Sequence, residues 1–377
     1  MDDDSDLDNE KNKEKIKIKD IHINKEDLII NLEFWLKPNN LTFSHDIIES
    51  YTNEALDNTF LVFKSINDIF YLIYSNLDNS IIAYNLINYK KIIEIKNANY
   101  WSYFTNFRHY FDKFNKRDLM LSISYDNNIK LWNINNWENI LKINYINKVG
   151  YLYSACFLND NNQIYIISSN YYLDSDSEPM KVFDLSGNQI KYTYSSYNDN
   201  TYFIDSFYDK KMFKNYIIAG NKDYAISYDY KENMCYHKYY DNNNKDHISL
   251  VINEKADDIN LIDSCEDGFI RIWNFHSGKL IKKIKVSHGA LYGVCLWNKN
   301  FIFLGCKDKS IKLIDLENNK LISNLVGHNA RVLSIKKIIH PEYGECLFSQ
   351  GYGFNQVKLW TNEKWFFSFF FINKIFN

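Results

Sequence analysis

The stretch Cys265-Glu266-Asp267-Gly268-Phe269-Ile270-Arg271-Ile272-Trp273-Asn274 decides how the chain is read. A turn, Glu266-Asp267-Gly268, opens onto an apolar–basic–apolar alternation ending in a tryptophan and an amide, the period of a short strand. The unit returns as Cys306-Lys307-Asp308-Lys309-Ser310-Ile311-Lys312-Leu313-Ile314-Asp315. It occurs earlier as Ser124-Tyr125-Asp126-Asn127-Asn128-Ile129-Lys130-Leu131-Trp132-Asn133, and Val357-Lys358-Leu359-Trp360-Thr361 is a fourth copy. Weaker copies end at Tyr84-Asn85, Phe183-Asp184 and Tyr228-Asp229.

The aromatic position, or the isoleucine replacing it, falls at 84, 132, 183, 228, 273, 314 and 360, a mean interval of about 46 residues. Around Trp273 the alternating segments are His247 to Ile252, Asn260 to Asp263 and Lys279 to Ile284, giving four short strands per period. A lone four-stranded sheet cannot cover both of its faces. Seven of them arranged radially can, each packing on its neighbours and leaving only short outer edges to water. The expected fold is all-β, a seven-bladed β-propeller of four-stranded antiparallel blades.

Composition fits a single large β architecture. Of 377 residues 46% are hydrophobic, and 44 basic against 47 acidic side chains give a net charge of −3. A chain disordered throughout is excluded, and so is a basic nucleic-acid coat, because only four of the cations are arginine. Gly (12) and Pro (3) are scarce while Asn numbers about fifty, so Asn is expected to take the left-handed turn positions. Asn, Lys, Ile, Tyr and Phe are residues of A/T-rich codons, and much of this bias reads as genome composition. No apolar core of a signal sequence follows the start, and no run approaches the ~18 apolar residues of a membrane span. Six scattered cysteines without a C-x-x-C pair read as reduced and mostly buried. A cytoplasmic or nuclear location, not secretion, is expected.

The repeats resemble those of the WD40 family. The likeness rests on the Asp six residues before the aromatic, the apolar–Lys/Arg–apolar–Trp–Asn/Asp run, and Gly327-His328 opening the last unit. It covers roughly residues 59 to 372. The family pattern implies a buried chain of His, a strand-two Ser or Thr, a turn Asp and a strand-three Trp. Carried over, these are Asp78, Asp126 with Trp132, His247 with Asp267 and Trp273, His288 with Asp308, and His328 with Trp360. The strand-two member beside Trp273 is Ser264 or Asp263. Ile314 in the tryptophan position leaves the sixth blade incomplete. These His–Ser–Asp sets read as structural, since no G-x-S-x-G elbow accompanies any serine.

The resemblance further implies partner binding on the face bearing the loops that join blades and the turns between strands two and three. Arg331, Leu291, Asn127, Asn128, Lys307 and Lys309 map there. So does the acidic loop Asp174-Ser175-Asp176-Ser177-Glu178, where Asp174 and Asp176 could meet a basic partner. That loop lacks the glycine and glutamate of a calcium loop, having Pro179 and Leu185 there. No zinc spacing, Walker sequence or complete dinucleotide loop occurs, so no metal, cofactor, small-molecule substrate or catalysis is expected. The first functional reading is a protein–protein interaction scaffold within a multiprotein complex. The alternative is a nucleic-acid- or anionic-lipid-binding propeller using Arg331 and the lysine-rich strand Lys279, Lys282, Lys283 and Lys285. The paired arginines of lipid-sensing propellers are missing, because no two arginines are adjacent.

The ends divide into a charged tail over 1–20, expected to be disordered, and an N-terminal extension over 21–58. Two segments compete to close the ring: Trp365 to Ile372, apolar and of strand length, and Leu28 to Trp35. Asp46 to Ala55, capped by Ser44, suits a short helix.

Overall fold

The computed structural model describes residues 41–48, 59–75, 78–98, 104–144, 151–171, 180–193, 201–242, 245–256, 258–352 and 357–362. The charged tail, Leu28 to Trp35, Asp174 and Asp176 with their loop, and Trp365 to Ile372 lie outside them. Twenty-eight strands form seven four-stranded antiparallel sheets arranged as a seven-bladed β-propeller. Blades one to six each take four consecutive strands, within 60–95, 104–144, 151–193, 201–239, 247–285 and 291–326. The first strand of each lines a central channel. The fourth strand is outermost and largely open to water, as in Leu280–Lys285, where only Ile284 is buried.

The core lies between blades, in seven apolar clusters that each join two neighbours. Leu119, Leu121 and Ile129 of blade two meet Leu152, Phe157 and Ile166 of blade three. Phe60, Leu72 and Tyr74 of blade one meet Phe348, Val357 and Leu359 of blade seven. Polar clasps bind the same seams: Asn127 Oδ1 accepts the Leu152 N–H at 2.8 Å, and Lys337 Nζ donates to the Trp297 carbonyl at 2.7 Å. Asn takes the strained turn positions, being eight of the fifteen non-glycine residues with positive φ among those described. Gly268, at φ +79°, is required in the turn before Trp273, because a Cβ there would stand 2.1 Å from the Ser287 carbonyl oxygen.

The seventh blade is completed from the N-terminal side. Val332–His340, Gly344–Gly351 and Val357–Asn362 supply three strands, and Leu41–Ile48, here β1, is the fourth. It pairs antiparallel with Val357–Asn362 from Leu41↔Asn362 to Ile48↔Val357, with irregularities after Phe43 and Asp46. The closing strand thus comes from within the extension over 21–58, one of the alternatives the sequence left open, but at Leu41–Ile48, and Asp46 to Ile48 is strand where a helix was expected. The edge of Val357–Asn362 offers an unpaired ladder, and pairing there outweighs the weak local helix signal.

His340 fastens blade seven to blade one. It is buried, its Nδ1 accepts the Glu342 N–H at 3.1 Å, and its Nε2 faces the Leu86 carbonyl at 3.2 Å, so Nε2 carries the proton. Burial holds its pKa below the ordinary 6.5, against the opposing pull of the Leu86 carbonyl and Glu342. His109, paired with Asp118 at 2.8 Å in blade two, is also lowered, burial again outweighing its carboxylate partner.

Two outcomes are expected. A chain without residues 1–48 leaves blade seven three-stranded, so its Tm should fall and it should self-associate on size exclusion; an unchanged monomer of unchanged Tm would contradict the closure. Because burial lowers both histidines in the folded chain, the unfolded chain takes up protons first as pH falls below 6.5. Stability should therefore be complete above pH 7 and decline on acidification, by at most about 1.4 kcal/mol per pH unit for each group. Urea denaturation at pH 7.5 and 5.5 measures this, and His340→Gln should flatten the decline.

Candidate functional site

Two kinds of polar assembly stand out, one sealed within blades and one facing the channel. In blade five Trp273 pairs opposite Leu261, which sets Asp263 two residues on beneath the indole. Trp273 Nε1 donates to Asp263 Oδ2 at 2.6 Å, and His247 Nδ1 lies 3.2 Å from the same oxygen, with both side chains fully buried. Register thus selects Asp263 over Ser264. Blade seven repeats the geometry with serine: Trp360 Nε1 donates to Ser349 Oγ at 2.7 Å, and His328 Nε2 meets that hydroxyl at 2.6 Å. In blade two Trp132 donates to Ser122 at 2.8 Å.

The turn aspartates do a different job. Asp78, Asp126, Asp267 and Asp308 each accept the N–H two residues on, closing the turn between strands two and three. Asp267 also holds Arg271, a fully buried guanidinium whose Nε donates to Asp241 at 2.8 Å. Arg271 keeps the Asp267 carboxyl down at about 2, although burial acts in the opposite sense. His288 departs from its expected role. It is exposed, and the positions that would receive it in blade six are Leu304 and Ile314, which carry no hydrogen-bonding group.

The channel opens at one end among tyrosines. Tyr125, in a turn between strands two and three, and Tyr153, Tyr202 and Tyr292, early on inner strands, line a cavity of about 370 Å³ together with Arg331. Tyr153 stands edge-on to both Tyr125 and Tyr202, with centroids 6.4 and 5.9 Å apart. The Arg331 guanidinium lies 3.8 Å from the Tyr352 ring and 5.3 Å from that of Tyr292, and its buried Nε has no acceptor among the described residues. Asp246 and Glu266 complete the rim.

Of the other residues expected on this face, Lys307 and Lys309 are exposed and Asn127 and Asn128 are half-buried in their turn. Leu291 is fully buried and packs on Ile262 and Ile270, which removes it from any partner surface. The next residue, Tyr292, reaches the channel, since successive strand residues face opposite sides. The tyrosine ring was missed because much of the Tyr content reads as codon bias; the signal available was the recurrence of Tyr153, Tyr202 and Tyr292 near the starts of inner strands. Also missed are Phe114, Met212, Phe213 and Ile339, exposed at the opposite end, where strands one and two connect.

The lysine-rich strand is engaged within the protein. Lys282 Nζ donates to the Leu316 carbonyl at 3.0 Å, Lys283 to Asp241 at 2.7 Å and Lys285 to the Asp267 carbonyl at 2.8 Å. Among the described residues no group of three or more His, Cys, Asp or Glu is placed to hold a metal, and no helix is long and apolar enough to cross a membrane.

No protein-family model matches the chain. Two curated proteins share short stretches with it. The U3 small nucleolar RNA-associated protein 21 homolog of Schizosaccharomyces pombe is 26% identical over 74 residues, which is 20% of this chain and 8% of that protein. Myosin heavy chain kinase C of Dictyostelium discoideum is 26% identical over 88 residues, 23% of this chain and 11% of the kinase. The matches thus span about a tenth of each relative and are about two repeats long.

Asp263→Ala should strand the buried Trp273 indole N–H and cost about 2 kcal/mol in urea denaturation. His288→Ala should change stability by less than about 0.5 kcal/mol, because the side chain is exposed. Equal losses from the two would show that His288 belongs to a buried chain after all.

Proposed function

We propose that this chain, a seven-bladed β-propeller of WD-type repeats, is a non-catalytic platform for protein–protein interaction within a larger complex, and that it grips its partner at the tyrosine-lined channel mouth. The observation that carries the reading is the cluster of Tyr125, Tyr153, Tyr202 and Tyr292 around Arg331. Tyrosine and arginine are the side chains that most often anchor protein interfaces. Here they are already ordered by ring contacts and by the strands beneath them, so little freedom is lost on binding.

Support for a non-catalytic role comes from where the acid–base groups sit. His328 with Ser349 and His247 with Asp263 are sealed inside blades under Trp360 and Trp273, out of reach of a substrate. One matched relative is named a kinase and the other an RNA-associated protein, and what they share with this chain is about two repeats long. A repeat common to such different proteins supplies a surface and no particular chemistry. The internal engagement of Lys282, Lys283 and Lys285 favours this platform over an anionic-polymer surface on that strand. Six free thiols suit a reducing compartment, cytoplasm or nucleus.

The test is affinity purification with mass spectrometry from the native organism, using wild type, Arg331→Glu and Phe213→Ser. A stoichiometric complex kept by Phe213→Ser and lost by Arg331→Glu is expected. Loss in Phe213→Ser alone would move the site to the opposite face. Salt-sensitive recovery of RNA or lipid in place of protein would overturn the platform reading.

A further inference from the structure

Among the described residues, the waist of the channel holds two cations and one nearby carboxylate. Arg108, on the inner strand of blade two, and Lys336, on that of blade seven, line both the tyrosine-mouth cavity and the cavity of about 400 Å³ at the opposite end. They therefore stand where the two spaces meet. The Arg108 side chain is 16% exposed, its Nη2 donates to the Ile204 carbonyl at 3.1 Å, and its plane lies 5.1 Å from the Phe203 ring. Nη1 is 3.7 Å from Asp205 Oδ2, too far for a hydrogen bond. Nε is buried, with no acceptor among the described residues. Lys336 feels burial first and the Arg108 guanidinium next, both favouring loss of its proton, while Cys295 and Asp205 act the other way. Two cations against one nearby carboxylate leave an excess of positive charge at the waist, which an anion relieves.

We infer that the channel waist is a binding site for one tetrahedral oxyanion, a phosphate group, held between the Arg108 guanidinium and Lys336. The donors come from two blades and from different directions. Nη2 is committed to Ile204, so the parallel fork that suits a carboxylate is not on offer. A phosphate presents a separate oxygen to each donor. Asp205 offsets one of the two positive charges and leaves a net attraction for an anion. The group could arrive as free phosphate or as a phosphorylated side chain threaded through the mouth. The site does not depend on the platform reading, and its failure would leave the tyrosine mouth intact.

The full chain is titrated calorimetrically with inorganic phosphate and with a capped phosphoserine amide, in chloride buffer of constant ionic strength. The expected result is saturable one-to-one binding, weakened about tenfold or more by Lys336→Met. Equal affinity for the two probes marks the free ion as occupant, and tighter phosphoserine binding marks a side chain. Absence of saturable binding by either probe, or unchanged affinity in a folded Lys336→Met, overturns the site. If that variant does not fold, reductive methylation of the wild type decides. Protection of Lys336 by phosphate supports the proposal, and equal labelling with and without phosphate rejects it.

Discussion

A four-stranded blade has two apolar faces and covers neither by itself, and everything else in this fold follows from that. Each of the seven apolar clusters takes side chains from two blades, so no blade owns a core. Stability is then a nearest-neighbour property, as in other repeat architectures, with the difference that the array must close on itself. Polar clasps reinforce the seams: Ser206 Oγ to the Phe157 carbonyl, Asn253 Nδ2 to that of Lys299, His340 to that of Leu86. The last of these spans 254 residues of sequence and exists only once the ring is shut.

The blades solve the same internal problem in two ways. Where strand three ends in tryptophan, the indole N–H must be satisfied, and strand two supplies Ser122, Asp263 or Ser349 to accept it. Where the aromatic becomes Ile314, the acceptor becomes Leu304 and the position packs as plain hydrocarbon. A half-built network, with donor and no acceptor, would be worse than either. Substitution at the two positions is therefore coupled, and the exposure of His288 follows from it.

The period and the aromatic positions were legible because turn, alternation and tryptophan sit within ten residues of one another. The ring closure was not. Leu41–Ile48 pairs with a strand more than 300 residues away, and a lone edge-seeking segment carries no local mark of its partner. Trp365 to Ile372 and Leu28 to Trp35 had the stronger apolar signal, but hydrogen-bonding capacity at the edge of Val357–Asn362 is indifferent to side-chain apolarity. Leu291 and Tyr292 illustrate a finer limit. In a strand an error of one residue exchanges core for channel.

The channel draws its chemistry from the same geometry. Seven inner strands converge on one axis, so side chains far apart in sequence, such as Arg108 and Lys336, are forced into one small volume. A blade interior can exclude polar groups by exchanging Trp for Ile, but the axis cannot be filled in that way, because adjacent inner strands already limit how large an inward residue can be. What remains is a lined space whose polarity is free to vary without cost to the seams between blades. The two ends of that space differ accordingly. One is ringed by tyrosines and Arg331 on ordered turns, while the other is bordered by strand-connecting turns bearing exposed Phe114 and Phe213. Because both rims are carried on strands and turns of the blades, side-chain identity there can change without rearranging the fold.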